Sequence, residues 1–313
     1  MLTLAELVGR SDRDSRAPIS VARCNDSGTV DALVAGLWPN GRPVGVDDRF
    51  YGASLAKQVT GAALAALVRD GLLDPDLPVA TYIGGLPPWS ADVTPRRLAN
   101  HTAGLPPAGE LEARTPGHWT EDFALGALAD LLELPTPPGS AYGYSNLGYV
   151  LLARIIAEVS GMPFAQFAAA RLFAPLKIEG IGFLDNPATQ PQLPLMGRKL
   201  PLTHGDGGLW STASAFARWL HLQNRDALGV VAIVEAPGQL MDGGTSAYGW
   251  GLGLRTYRGH RLLIHAGEWT GCAAKAVRCP DLGIGVVVLA AATRFEAVDR
   301  LVLNILDDAA SGS

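Results

Sequence analysis

Charge is scarce in this sequence: only 18% of its 313 residues are Asp, Glu, Lys or Arg, with 25 basic against 30 acidic residues and a formal charge of −5. A slightly acidic chain has no broad cationic face, which excludes nucleic acid or an anionic membrane surface as the main partner. Cysteine is scarcer still. Cys24, Cys272 and Cys279 form no CxxC pair and stand beside no histidine cluster, so no metal site and no cofactor is expected, only buried thiols. No apolar run reaches the roughly 18 residues that span a bilayer. The best candidate, 282–292, is short and broken by glycine. The N-terminal stretch lacks a cationic lead and carries Glu6 inside its apolar run, so no export signal and a cytoplasmic location are expected. Internal repeats and low-complexity tracts are also missing. What is present is 48% hydrophobic residues with 37 Gly and 22 Pro, which excludes disorder and allows one large domain or two modest ones.

The first 50 residues read as β, with Ile19 to Arg23 and Val30 to Trp38 as strands and the Asn40-Gly41 turn leading into a hairpin partner, Arg42 to Val46. From Ala53 the period becomes helical. Leu55, Val59, Ala62, Leu64, Leu67 and Val68 supply one apolar face, and Gly71 stops it. Thr94-Pro95 opens a short helix ending at Asn100. The Pro- and Gly-rich stretch 104–143, with one helix from Glu121 to Leu132, reads as an elaborated lobe. Helices from Leu147 to Val159, Pro163 to Leu172 and Ala213 to Leu222 follow. Strands return at Tyr248 to Tyr257, Arg261 to His265, Cys272 to Arg278 and Ile284 to Ala291, before a last helix from Phe295 to Asp308. Strands at both ends and helices between predict an α+β chain in which the two termini share one antiparallel sheet. The expected division is an α/β lobe of about 1–70 and 240–313 and a helical lobe of about 71–239, with the site at their seam.

Three short segments carry chemistry. Ser54 and Lys57 sit three apart at a helix start, which stacks them on one face and lets an amine approach a hydroxyl that is a poor nucleophile without a base. A serine and a lysine at this spacing also occur as an ordinary solvated pair. Tyr144-Ser145-Asn146 precedes a helix, where a phenol can relay a proton and a carboxamide can hold a carbonyl, although a core tyrosine and a helix cap would look the same. His265-Ala266-Gly267 closes a strand whose free N–H groups can bind substrate and a developing oxyanion.

Together, in this order, the three segments resemble the penicillin-recognising serine hydrolases: class C β-lactamases, D-Ala-D-Ala carboxypeptidases and β-lactamase-like esterases and amidases. The likeness runs through Phe50-Tyr51-Gly52-Ala53-Ser54-Leu55-Ala56-Lys57, Asn100-His101-Thr102-Ala103-Gly104-Leu105-Pro106, Tyr142 to Tyr149 and Gly205 to Thr212, to His265-Ala266-Gly267. It implies a β-lactamase/transpeptidase-like fold in a single domain, a central antiparallel sheet flanked by helices plus a mainly helical lobe. It makes Ser54 the acylated nucleophile, Lys57 its activator and Tyr144 a second acid/base, with the backbone N–H groups of Ser54 and Glu268 as oxyanion hole. Asn146 would steady the substrate, and Gly267 would let it approach the strand. His265 stands where many relatives have lysine, which weakens recognition of a substrate carboxylate, since histidine is mostly neutral at pH 7. Ala108 replaces a glutamine that holds the acylamide side chain in class C enzymes. Arg294 falls near the carboxylate-binding arginine of those enzymes, or forms a surface ion pair. Trp269 is the expected substrate contact among Trp210, Trp250 and Trp269, while His101 and Asp206 read as turn and loop residues. The expected activity is hydrolysis of a small-molecule ester or amide by a serine hydrolase. The alternatives are acyl transfer through the same acyl-enzyme, a D-amino-acid peptidase or β-lactamase, and a non-catalytic binding module.

Overall fold

The computed structural model describes residues 2–107, 120–184, 187–196 and 203–311. Among these residues the strands are β1 (Ile19–Cys24), β2 (Val30–Ala35), β3 (Phe50–Ala53), β4 (Ile181–Phe183), β5 (Leu209–Ser211), β6 (Gly238–Gln239), β7 (Thr245–Ser246), β8 (Gly253–Tyr257), β9 (His260–Trp269), β10 (Cys272–Cys279) and β11 (Ile284–Ala291). The helices are α1 (Leu4–Gly9), α2 (Ala56–Arg69), α3 (Pro95–Ala99), α4 (Glu121–Ala129), α5 (Asn146–Ser160), α6 (Phe164–Ala168), α7 (Ala213–Asn224), α8 (Val231–Val234) and α9 (Phe295–Ser311). None of these helices is by itself long and apolar enough to cross a membrane.

The main sheet has the order β2-β1-β11-β10-β9-β8 with all neighbours antiparallel, so the first and last strands of the chain pair directly. Its central strand, β11, is apolar and buried at every position, which demands cover on both faces. Alternation supplies it. Ile284, Val286, Val288 and Ala290 pack with Leu4, Leu7 and Val8 of α1 and with the Val298, Leu301, Val302, Ile305 stripe of α9. Val287, Leu289 and Ala291 face the larger core, where Phe216, Ala217 and Leu220 of α7 join α2 and α5. Helix α7 begins where the Thr212 hydroxyl accepts the Ala215 N–H, and it packs on β1 and β11 although it lies inside the segment expected to be helical lobe. A second sheet, β3-β5-β4, draws the residues just before Ser54 onto strands from the middle of the chain.

Several expected elements end elsewhere. Strand β2 stops at Ala35, and only a single bridge, Leu37 to Pro43, remains of the expected hairpin, because Pro43 has no N–H to continue a ladder. Trp38 instead turns inward onto Phe50 and donates its indole N–H to Asp48. The helix expected from Ala53 starts at Ala56, and the helix from Pro163 changes at Ala169 into a π-turn that ends at Phe173. The strand expected from Tyr248 starts only at Gly253, whereas the strand expected to end at His265 continues to Trp269.

The stretch that fails to become strand has another job. Its Trp250-Gly251 backbone lies directly on α2, where a Cβ on Gly251 would fall 2.0 Å from the Lys57 carbonyl oxygen and one on Gly61 would fall 2.1 Å from the Trp250 carbonyl oxygen. A Gly→Ala change inside an exposed helix stabilises by about 1 kcal/mol. Here Gly61→Ala is expected to do the opposite, with a loss of roughly 1–3 kcal/mol from forced separation of loop and helix. A thermal melt reads the sign, and a variant that melts at or above the wild-type temperature contradicts this packing.

Candidate active site

Strand β3 ends with a bulge between Tyr51 and Ala53, and Ala53 is held at φ +45°. A positive φ at a residue with a Cβ is strained by of order 1 kcal/mol, so the surrounding pairing must impose it. Its effect is to turn the chain sharply outward at Ser54. From Phe50 to Leu67 every residue is buried except Ser54. The serine lies on the turn ahead of α2 rather than inside the helix, yet the Lys57 N–H donates to the Ser54 carbonyl oxygen at 3.1 Å, so the two side chains still share one face.

Lys57 is fully buried. Its Nζ is 3.0 Å from Ser54 Oγ, 2.8 Å from Asn146 Oδ1 and 2.8 Å from the Asp206 carbonyl oxygen, and it sits over the rings of Tyr144 and Tyr149 at 5.0 and 5.5 Å. Two of the three oxygens can only accept. They hold two N–H bonds of the amine whether it is charged or neutral, and the third position faces a hydroxyl that either accepts or donates. A proton can therefore pass between Ser54 and Lys57 without any side chain moving. The Asp206 carbonyl is set in place by its neighbour, since Thr60 on α2 donates to the Gly205 carbonyl oxygen at 2.8 Å. Asn146, expected to steady the substrate, gives its side-chain oxygen to Lys57.

Tyr144 approaches from the other side, its hydroxyl 3.1 Å from Ser54 Oγ. The loop that carries it is pinned by His101: the Gly143 N–H donates to the His101 carbonyl at 2.8 Å, and the Ser145 N–H donates to His101 Nδ1 at 3.3 Å. The buried His101 ring also lies 4.3 Å from the Tyr144 ring. It is held well below the usual histidine range by burial and by the nearby Lys57 charge.

The third side is β9. Strand β8 pairs only as far as Ile264, so β8 does not cover the edge of residues 265–268. Gly267 presses that edge against the nucleophile turn: a Cβ there would lie 2.2 Å from the Gly52 carbonyl oxygen and 3.2 Å from Ser54 N. His265, Gly267 and Trp269 share one face by strand alternation, and Trp269 packs beside the buried Tyr51, Trp210 and Cys272. Glu268 is exposed on the opposite face, so only its backbone can serve the site. The His265 Nδ1 is 2.6 Å from the Ala266 carbonyl and its Nε2 is 2.8 Å from the Tyr248 hydroxyl. A carbonyl only accepts, which places the proton on Nδ1 and makes Tyr248 the donor to Nε2. Burial first, and Lys57 second, push the ring down to about 3. Arg294 is exposed ahead of α9 and is not among the groups bonded around Ser54, while Ala108 lies outside the described residues. No three His, Cys, Asp or Glu side chains among the described residues are placed to hold a metal ion.

The chain resembles known proteins over most of its length. A family model described as Beta-lactamase matches residues 19–309. The chain belongs to that family. It is 27% identical over 272 residues to a penicillin-binding protein of Bacillus subtilis, covering 77% of this chain and 60% of the relative. It is likewise 27% identical over 256 residues to the D-aminopeptidase of Brucella canis, covering 75% of this chain and 48% of the relative. The chain thus spans about half of the length of the curated relatives it matches. Among solved structures, the penicillin-binding protein from Bacillus halodurans superimposes with a TM-score of 0.81 at 21% identity, over 97% of this chain and 99% of that one. The D-amino acid amidase from Ochrobactrum anthropi complexed with D-phenylalanine gives 0.79 at 24%, over 99% and 97%. The fold is therefore the β-lactamase/transpeptidase-like one, a central antiparallel sheet with flanking helices.

Sequence reasoning misses two features of this site: Tyr248, which reads as the start of a strand, and the main-chain carbonyl of Asp206. Two outcomes follow from the geometry. Gly267→Ala is expected to push β9 off the Gly52 carbonyl and abolish labelling of Ser54 by a fluorophosphonate while circular dichroism stays native-like; undiminished labelling contradicts the contact. The neutral histidines also set an acid limit. The unfolded chain takes up protons near pH 6.5 that the folded His101 and His265 refuse, so their contribution to stability is complete above that pH and falls as pH is lowered, for His265 down to about 3. The melting temperature of His265→Gln is expected to fall less steeply than that of the wild type from pH 6.5 downward, and parallel curves contradict the neutral ring.

Proposed function

We propose that this chain is a serine hydrolase that cleaves an ester or amide of a small molecule through an acyl-enzyme on Ser54. The observation that carries the reading is the Lys57 amine, buried and held by Asn146 and Asp206 so that its third position faces Ser54 Oγ at 3.0 Å. In acylation Ser54 Oγ bonds to the substrate carbonyl carbon as its proton moves to Lys57. The negative oxygen that forms is met by the backbone N–H groups of Ser54 and Glu268. The scissile bond then breaks, and the proton taken from Ser54 is returned to the departing nitrogen or oxygen, with Tyr144 placed to hand it over. Water completes the cycle by attacking the acyl carbon, giving one proton back to the serine oxygen as the acid leaves.

The relatives narrow the substrate order. A D-aminopeptidase among them and a D-amino acid amidase among the fold neighbours make amides of D-amino acids the first compounds to assay, ahead of p-nitrophenyl esters and nitrocefin. Turnover of nitrocefin above every amide and ester overturns that order. A fluorophosphonate or labelled penicillin is expected to form an adduct on Ser54 that is absent in Ser54→Ala, and no adduct with any such probe overturns the enzyme reading. Lys57→Ala and Tyr144→Phe are each expected to slow acylation by about 10²-fold or more, the scale of a positioned acid or base. Near-normal rates in either variant remove the role assigned to it.

A further inference from the structure

We propose that Tyr51 is a positioning residue for acylation: its hydroxyl supports the Gly207-Gly208 backbone and so holds the Asp206 carbonyl on the Lys57 amine. This rests on the hydrolase reading above. Two anchors bracket that carbonyl, which lies 2.8 Å from Lys57 Nζ. On one side Thr60 of α2 donates to the Gly205 carbonyl oxygen at 2.8 Å, and Gly205 lies against α5, where a Cβ would fall 2.3 Å from the Tyr149 carbonyl oxygen. On the other side the Gly208 N–H donates to the Tyr51 hydroxyl at 3.3 Å. Gly207, between this bond and the carbonyl, is not held at a positive φ, so its conformation alone does not call for glycine. The hydroxyl is what keeps a side chain out. A Cβ at 207 would come 2.8 Å from the Tyr51 oxygen, whereas the ring carbon that bears the oxygen stands 3.9 Å away, an ordinary contact.

The hydroxyl can bear on this segment because Tyr51 is itself fixed. It is buried, its N–H donates to Gln192 Oε1 at 2.9 Å, and its carbonyl oxygen accepts from Cys272 Sγ of β10 at 2.9 Å. Its ring lies 5.3 Å from that of Trp210, the residue it pairs with on β5. The same strand, three residues on, presents Ser54, so one rigid element sets the place of the nucleophile and of the carbonyl that holds its activator. That carbonyl matters most once the Ser54 proton has reached Lys57, because a hydrogen bond to a charged donor is roughly twice as strong as one between neutral groups. A carbonyl that drifts away therefore slows the attack by Ser54, and it does so only through Lys57.

The test reads the rate at which a fluorophosphonate labels Ser54, a step in which Oγ bonds to phosphorus, its proton moves to Lys57 and fluoride leaves. Tyr51→Phe is expected to keep a native-like circular dichroism spectrum and to label about tenfold more slowly than the wild type, the scale of one hydrogen bond. In a Lys57→Ala background, where the Asp206 carbonyl has no amine to hold, the same substitution is expected to change the slow residual rate by no more than about twofold. Gly207→Ala is expected to slow labelling by about tenfold or more when Tyr51 is present and by no more than about twofold in the Tyr51→Phe background, since removing the hydroxyl makes room for the methyl group. Three outcomes overturn the proposal: a Tyr51→Phe rate equal to that of the wild type, a full tenfold loss repeated in the Lys57→Ala background, which would make Tyr51 a support of the serine turn alone, or a Gly207→Ala effect that is the same with and without the hydroxyl. Failure of every such probe to label the wild type overturns the hydrolase reading, and the positioning role with it.

Discussion

Lys57 Nζ stands out of water among three oxygens, and each oxygen belongs to a different part of the chain: Ser54 to the turn after β3, Asn146 to the first residue of α5, and Asp206 to the loop before β5. An amine buried without partners costs several kcal/mol, so the folded state holds this one only while all three segments are in place. Each segment has its own anchor. The second sheet fixes the turn through β3 and β5, the His101 turn fixes the entry to α5, and Thr60 fixes the Gly205-Asp206 backbone from the same helix that carries Lys57. Stability and chemistry meet at this atom, because the contacts that make its burial tolerable also aim it at the serine.

The seam between the layers is built from backbone rather than side chains. At Gly267 the edge of β9 lies on the Gly52 carbonyl, and at Gly61 and Gly251 the loop ahead of β8 lies on α2. A methyl group at any of these points would part the surfaces by more than the short hydrogen bonds around Ser54 can follow. The second half of β9 is the second constraint. Because β8 ends its pairing at Ile264, the edge of residues 265–268 beside the nucleophile is left uncovered by β8, where backbone groups can serve a substrate.

Much of this was legible in residue order. The Val298, Leu301, Val302, Ile305 stripe and the unbroken apolar run of β11 announce a helix on a doubly covered strand, and Ser54, Lys57, Tyr144, His265 and Gly267 do converge in space. What stayed hidden are contacts that residue type does not encode. The third partner of Lys57 is a main-chain carbonyl, which any residue at 206 could present. Tyr248 reads as an ordinary strand residue until the chain folds it onto a histidine 17 positions away. Asn146 is expected to steady the substrate, but in the structure its side-chain oxygen accepts from the lysine, since a buried amine outcompetes solvent for the nearest acceptor.

Around the Ser54-Lys57 pair, burial holds His101, His265, Tyr142, Tyr149 and Tyr248 neutral. Burial pushes His265 down to about 3 and His101 well below its usual range, and it pushes Tyr142 up to about 12 and Tyr149 and Tyr248 well above theirs. The same desolvation acts with opposite sign on bases and acids, because in each case it disfavours the charged form. Neutral rings of this kind still give and take hydrogen bonds, so they hold Tyr144 and the edge of β9 in register without adding a field that would compete with the reacting proton. A charged residue at 101 or 265 would alter the energy of the lysine it faces, whereas a neutral one only positions its neighbours. The neutral rings of this cleft thus fix geometry, while the proton path of the proposed reaction runs through Ser54, Lys57 and Tyr144.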